Sequence, residues 1–193
     1  MNDSKIIDFL KEVGKLKSTL RFQESPNMPK DTTAGHSWRT ALMSFMIADE
    51  LKLNLDLNKV MKMAIIHDIV EAKTGNTDYT AIASGKISKK EQNELEDKAI
   101  KQLSQILPEK TGEEIFNLWT EFNQGETKES KYVKAINKLE TLIYLLEVGH
   151  NHFSGPELIF DYIKNANEIP ELEGTFNAVR EELEKETAKV KQD

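Results

Sequence analysis

Residues 60–72, VMKMAIIHDIVEA, place Val60, Met61, Met63, Ala64, Ile65, Ile66, Ile69 and Val70 around nearly the whole circumference of a helix. A helix that is apolar all round is a buried one, so this segment, within a helix from about Leu57 to Ala72, is expected at the heart of an α-helical fold. Into it the sequence sets His67 and Asp68 side by side. An ionised carboxylate in an apolar interior is costly unless a cation or a dense hydrogen-bond set faces it. The neighbouring imidazole adds a nitrogen donor, so a divalent metal would satisfy both groups at once. Pairing with polar groups elsewhere in the core is the other solution. Glu71, four residues after the histidine and three after the aspartate, shares their helical face. A second acid there can protonate a leaving group or position water.

Working outward, the remaining chain is helical by pattern. Ile6, Ile7, Leu10, Val13, Leu16 and Leu20 form a stripe for a first helix over about Ser4–Leu20, followed by a Pro-containing loop over 21–35. A second helix runs from about His36 to Leu51. Leu42, Phe45, Met46 and Leu51 give it an apolar periodicity that assigns Trp38 to core or interface packing and the methionines to core. Ser88 with Glu91 has the spacing of a capping box opening a helix to about Leu107, and Thr111 with Glu114 repeats it for a helix to about Phe122. Further helices are expected over about Lys128–Val148, over Pro156–Asn165, and from about Glu171 onward, with the charged run REELEKETAKVKQD solvated and fraying. The architecture is all-α, an irregular bundle of about seven or eight helices in one domain.

Composition narrows the function. With 38% hydrophobic and 31% charged residues the 193-residue chain can bury a core. No run approaches the length of a membrane helix, and the charged start MNDSKIIDFLKE has no signal-peptide pattern, so a cytoplasmic protein without membrane contact is expected. The absence of cysteine excludes disulfides, thiolate metal sites and a cysteine nucleophile. A net charge of −7 argues against binding polymeric nucleic acid. Of the four histidines, His36 follows the polar loop DTTAG and can face a cleft, whereas His150 and His152 in GHNHF do not share a helical face and read as surface loop.

The ordered segments GHSWRTALMSFMIADEL, AIIHDIVEAKTG and KYVKAINKLETLIYLLE make the chain resemble the HD-domain metal-dependent phosphohydrolases, nearest their 5′-deoxynucleotidase-like branch, over roughly residues 5–150. The resemblance implies a single HD domain over 1–193, with the C-terminal helices packed on it or extending it. It implies one divalent ion held by His36, His67 and Asp68, and by a fourth residue that is Asp in the family pattern and Asn137 here. An amide oxygen can ligate but brings no charge, so weaker metal binding is expected. The donor set, nitrogen and oxygen without sulfur, suits manganese, cobalt, iron, nickel or zinc.

Glu71 is implied as the proton-transfer residue. The family's next acid, in Thr-Gly-Asp, is Asn76 here; it can hold water by hydrogen bonds but cannot take its proton. Asp78, two residues on, would substitute if the loop adjusts. Arg21, in LKSTLRFQE, matches an arginine that helps bind the substrate's phosphate or sugar, followed here by Phe22 where relatives often have tryptophan. Lys134 and Lys138 flank Asn137 at helical spacing, and Lys138 is a further candidate for an anionic ligand. The function implied is removal of phosphate from a small nucleotide, most plausibly a deoxynucleoside 5′-monophosphate, by a possible homodimer. A nucleotide-binding HD domain without turnover, and a phosphodiesterase on cyclic or dinucleotide substrates, are the alternatives.

Overall fold

The computed structural model describes residues 3–23, 28–77, 81–82, 85–152 and 169–190. Its elements are α1 (Asp3–Val13) with a 3-10 turn (Gly14–Lys17), α2 (Thr33–Glu50), α3 (Leu57–Ile66), the single turn α4 (Glu71–Thr74), α5 (Lys89–Ile106), α6 (Glu109–Gln124), α7 (Lys128–Val148) and α8 (Glu173–Val190). There is no β-strand among the described residues; one isolated antiparallel bridge, Leu20 to Thr32, closes the base of the loop before α2. No described helix is long and apolar enough to cross a membrane. The expected helix over Pro156–Asn165 lies outside the described residues.

Local chemistry sets the helix ends. The Thr32 side chain accepts from the Gly35 amide at the start of α2, and Asp56 accepts from Lys59 at the start of α3. The Ser88–Glu91 capping box forms as expected. The Thr111–Glu114 box does not: α6 begins at Glu109 behind Pro108, so Thr111 lies within its first turn. Gly112 is needed there, because a Cβ would fall 2.3 Å from the Ser104 carbonyl oxygen of α5. Gly125 ends α6 with a left-handed φ of 69°. The expected bounds of α7 are reproduced.

Two cores hold the bundle. In the first, Val60 and Met63 of α3 meet Ala41 and Ala48 of α2, Tyr132, Val133, Ile136, Leu139 and Leu142 of α7, and Leu172, Phe176 and Leu183 near or on α8. In the second, Phe9 of α1, Ala99, Ile100 and Leu103 of α5, Leu107 and Trp119 pack on Ile66, Ile69 and Val70. The short segment from Ile66 to Val70 therefore joins the two, with His67 and Asp68 at the seam.

Four expectations need correction. The central helix stops at Ile66 instead of running to Ala72, because the His67 ring bonds the Ala64 carbonyl and the chain then folds through i to i+3 turns. Nor is it buried all round: Ile65 is exposed. At the start of the chain Phe9 is buried while Ile7 and Leu10 face outward; Val13 and Leu16 of the expected stripe do lie on the core side. The C-terminal run is solvated on one side only, because α8 lies on the first core and buries Leu183 and Thr187.

The largest departure is α2. Its inner face carries Thr33, His36, Ser37, Thr40 and Ser44, all buried, while Trp38, Leu42, Phe45 and Met46 are exposed, Trp38 to 66%. The core placement of Trp38 and of this stripe is overturned. Periodicity locates an apolar stripe but not the side on which the core lies.

Candidate metal centre

His67 caps the C-terminal end of α3, and its Nδ1 lies 2.8 Å from the Ala64 carbonyl oxygen. A carbonyl can only accept, so Nδ1 carries the proton and Nε2 is left bare. His36, buried on the inner face of α2, makes a short hydrogen bond from Nδ1 to Oε2 of Glu140 on α7. The carboxylate holds the proton on Nδ1 and again leaves Nε2 bare. The two Nε2 atoms stand 3.3 Å apart. Oδ2 of Asp68 is 3.1 Å from the His67 Nε2 and 3.6 Å from that of His36.

Two bare nitrogens and a carboxylate oxygen cannot hydrogen-bond one another without an added cation or proton. Metal bonds of about 2.0–2.2 Å at tetrahedral or octahedral angles set neighbouring donors about 3.0–3.5 Å apart. The observed separations fall close to that range, so these residues fit a single divalent ion. His36, His67 and Asp68 also form the one group of metal-ligating side chains found among the described residues.

Electrostatics around the centre are strongly opposed. Burial pulls His67 down, but the adjacent Asp68 carboxylate outweighs it and raises its proton affinity. Burial and the nearby Arg21 depress His36 despite Glu140. For Asp68, burial favours the acid, but His67, His36 and Arg21 together hold it well below the usual carboxylate range. Its side chain keeps 22% of its exposure, which leaves the centre open on one side.

Glu140 ties this centre to two arginines. Its Oε1 accepts from Arg39 Nε at 2.9 Å, with Arg39 Nη2 in ion-pair contact at 2.8 Å; its Oε2 accepts from His36 and, at 3.3 Å, from Arg21 Nη1. Arg39 also forks onto Glu147 at 2.6 and 2.7 Å. Arg21 is no loose surface cation: its side chain is 9% exposed. It bonds Asp31 at 2.8 Å and Thr141 at 2.9 Å, so its contacts with described residues engage three of its five N–H groups. Phe22, with a φ of 56°, lies under the Arg21 guanidinium at 4.9 Å and stacks on Tyr144 at 5.2 Å. The Tyr144 hydroxyl anchors the preceding loop by donating to the Pro29 carbonyl at 2.8 Å.

Glu71 stands on the other side of Asp68. Its Oε2 accepts from the Thr33 hydroxyl at 2.6 Å and its Oε1 from the Asn76 amide at 2.8 Å. Burial and the Asp68 charge nevertheless push its carboxyl up to about 8. Asn76 is therefore brought to the site, but bonded to Glu71. Asp78 lies outside the described residues. Asn137 is half-buried on α7, three residues before Glu140 and so on the same helical face, and its carbonyl accepts from Thr141. Lys138 follows it, also half-buried, whereas Lys134 caps the end of α6 by donating to the Asn123 carbonyl. His152 sits in a short 3-10 turn after α7.

Sequence reasoning missed Glu140 and Thr33. Glu140 had a signal, a lone carboxylate among Ile136, Leu139, Leu142 and Ile143. Thr33 had none, since beside the N-cap it resembles any first-turn threonine.

A family model described as the HD domain matches residues 13–171. The chain is 33% identical to the 5′-deoxynucleotidase HDDC2 of Dictyostelium discoideum, with 75% of this chain and 77% of that protein covered. The human protein of the same name is 30% identical, with coverage of 74% and 67%. The 5′-deoxynucleotidase hdd1 of Schizosaccharomyces pombe is 28% identical, with coverage of 97% and 94%. Among solved structures, a conserved hypothetical protein of Pyrococcus furiosus superposes with a TM-score of 0.75 at 27% identity, covering 91% of this chain and 99% of its own. A Magnetospirillum magnetotacticum protein described as a predicted metal-dependent phosphohydrolase shares the fold, with a TM-score of 0.77, 24% identity and coverage of 95% and 93%. Helical seam, histidine pair and relatives lead to one conclusion: this chain belongs to the HD-domain family.

Proposed function

We propose that the chain is a metal-dependent phosphohydrolase acting on a small nucleotide, with a deoxynucleoside 5′-monophosphate as substrate. The observation that carries this reading is the convergence of two Nδ1-protonated imidazoles, their bare Nε2 atoms 3.3 Å apart, on the Asp68 carboxylate. The three relatives named as 5′-deoxynucleotidases support the substrate class.

In this reading His36, His67 and Asp68 hold the ion, and Asn137 offers a fourth, uncharged oxygen donor. The ion, which the donor set makes manganese, cobalt, iron, nickel or zinc, supplies Lewis acidity toward phosphoryl oxygen and water. Arg21, rigidly seated and with two N–H groups left over, binds the substrate phosphate, and Lys138 adds positive charge at its rim. Glu71, whose carboxyl burial and the Asp68 charge push up to about 8 in the metal-free protein, delivers a proton to the departing nucleoside oxygen. That proton sits on Oε2, where the Thr33 hydroxyl can turn to accept, because the Asn76 amide at Oε1 can only donate. Asn76 thus orients Glu71, and Asp78 is left to handle water. Nucleoside monophosphates are intracellular metabolites, so the proposed place of action is the cytoplasm. The exposed Trp38, Leu42, Phe45 and Met46 face supports a homodimer through α2.

The test is phosphate release from deoxynucleoside and nucleoside monophosphates with each of the five metals added singly. Release from deoxynucleotides that His67→Ala abolishes is expected. Nucleotide binding without release under every metal would overturn the enzyme reading, and release from cyclic or dinucleotides alone would redirect it.

A further inference from the structure

We propose that Glu140 is a positioning residue whose carboxylate locks His36 in the tautomer that presents a bare Nε2 to the centre. The proposal rests on the metal-centre reading above. It starts from a carboxylate 1% exposed in the apolar middle of α7. Its partners among the described residues are one imidazole and two arginines: Oε2 meets His36 and Arg21, and Oε1 meets Arg39. Arginine cannot give up its proton in a protein, so both arginines present N–H groups permanently. Imidazole is the one partner that can change which nitrogen carries hydrogen. The two arginines therefore hold Glu140 ionised and aimed, and Glu140 in turn decides the state of His36. His67 needs no such device, because the Ala64 carbonyl three residues earlier in its own helix sets its tautomer. His36 lies on a different helix, and its lock must come from across the bundle.

The substitution Glu140→Gln keeps the shape but leaves one oxygen for two sides. Each side carries a fixed donor, but Arg39 lies nearer, at 2.9 Å against 3.3 Å for Arg21, and Arg21 keeps Asp31 as a partner; Arg39 therefore claims the oxygen, and the amide NH2 turns to His36. It then donates to Nδ1, the imidazole proton moves to Nε2, and the lone pair facing Asp68 and His67 is lost. Outer hydrogen-bond partners of metal-ligating histidines typically change metal affinity by roughly 10–100-fold, and a loss in that range is expected here. Removing Arg39 as well, in Glu140→Gln with Arg39→Met, frees the amide to flip and return its oxygen to Nδ1.

The experiment is nitrogen-15 NMR of the imidazoles in metal-free protein, paired with calorimetric titration of Co²⁺ and Mn²⁺. Wild type is expected to show His36 protonated on Nδ1; Glu140→Gln should show it on Nε2 with weakened metal binding, and the double variant should recover both. Rescue by a second substitution is not what a merely structural glutamate would give. The lock is overturned if metal-free wild type carries the His36 proton on Nε2, or if Glu140→Gln keeps it on Nδ1 with wild-type affinity. Should Glu140→Gln fail to fold, the wild-type spectrum alone decides. Wild type locked on Nδ1 but binding neither metal would overturn the metal centre and leave the lock standing.

Discussion

Helices α2 and α7 face each other across the first core and both supply the site, yet they are built in opposite ways. α7 buries Val133, Ile136, Leu139 and Leu142, and admits one carboxylate among them, which three donor residues satisfy. α2 turns Thr33, His36, Ser37, Thr40 and Ser44 inward and Trp38, Leu42, Phe45 and Met46 outward. The hydroxyls of Ser37, Thr40 and Ser44 have no hydrogen-bond partner among the described residues. Small residues Ala41 and Ala48 seat α2 on the first core, and polar contacts add to them: the Thr32 cap, Thr33 on Glu71, and His36 and Arg39 on Glu140. α7 is placed by burial and α2 in larger part by polar contacts, so damage to each should read out differently.

The sharpest contrast comes from removing one side chain from each. His36→Ala on α2 should cost more activity than the roughly 10–100-fold of an outer hydrogen-bond partner, abolish tight Co²⁺ binding and lower stability by less than the loss of a large core side chain, as measured by phosphate release, titration and thermal melting. Leu139→Ala on α7 should do the reverse, with a loss of about 2–5 kcal/mol in denaturant unfolding and near-normal metal affinity. If His36→Ala unfolded the protein as severely as Leu139→Ala, the contrast would fail.

Glu71, held by the first turn of α2, tests the polar side by pH. General acid catalysis is worth roughly 10²–10⁴-fold, so Glu71→Gln should slow turnover by about that much and remove the alkaline fall in rate, whose position the bound metal shifts downward. The metal-free protein offers a second reading. Glu71 titrates near 8 when folded against an ordinary value of 4.5, so the folded state binds the extra proton between those values. Fewer protons in the unfolded chain mean stability falls as pH rises through that window. Asp68 works at the other end: its depressed value gives stability that is present above the ordinary carboxylate range and lost at strongly acid pH. A cation beside Asp68 cancels much of its repulsion, so metal loading should lower the Glu71 value and flatten the first slope.

The smallest effect sharpens the comparison most. Thr40→Val removes a buried hydroxyl that has no partner among the described residues and should stabilise the protein by about 1 kcal/mol, where the same loss of polarity at Glu140 would be ruinous. A destabilised Thr40→Val would mean that the hydroxyl stripe is satisfied in solution.

What was legible in the sequence follows from what is local. The bounds of α7 and the Ser88–Glu91 box depend on residues a turn apart, and both stand. His67, Asp68 and Glu71 drew notice because charge in an apolar run is conspicuous. The burial of α2 was misread because its outward face carries the side chains that usually mark a core. The pairing of Glu140 with His36 spans 104 positions, and no periodicity encodes it. The end of α3 was missed for a related reason, since no glycine or proline announces it and a ring bonded to a carbonyl does the work instead.

The seam at Ile66–Val70 has a mechanical consequence. Its apolar side chains are rooted in the core of α1, α5 and α6, while its histidine reaches toward partners rooted in the other core. A cation clasped there is a stitch through both halves, and whatever it gains in binding is also resistance to their sliding apart. Loosening between the two cores would therefore register first as a slackened grip on the ion, well before either half comes undone.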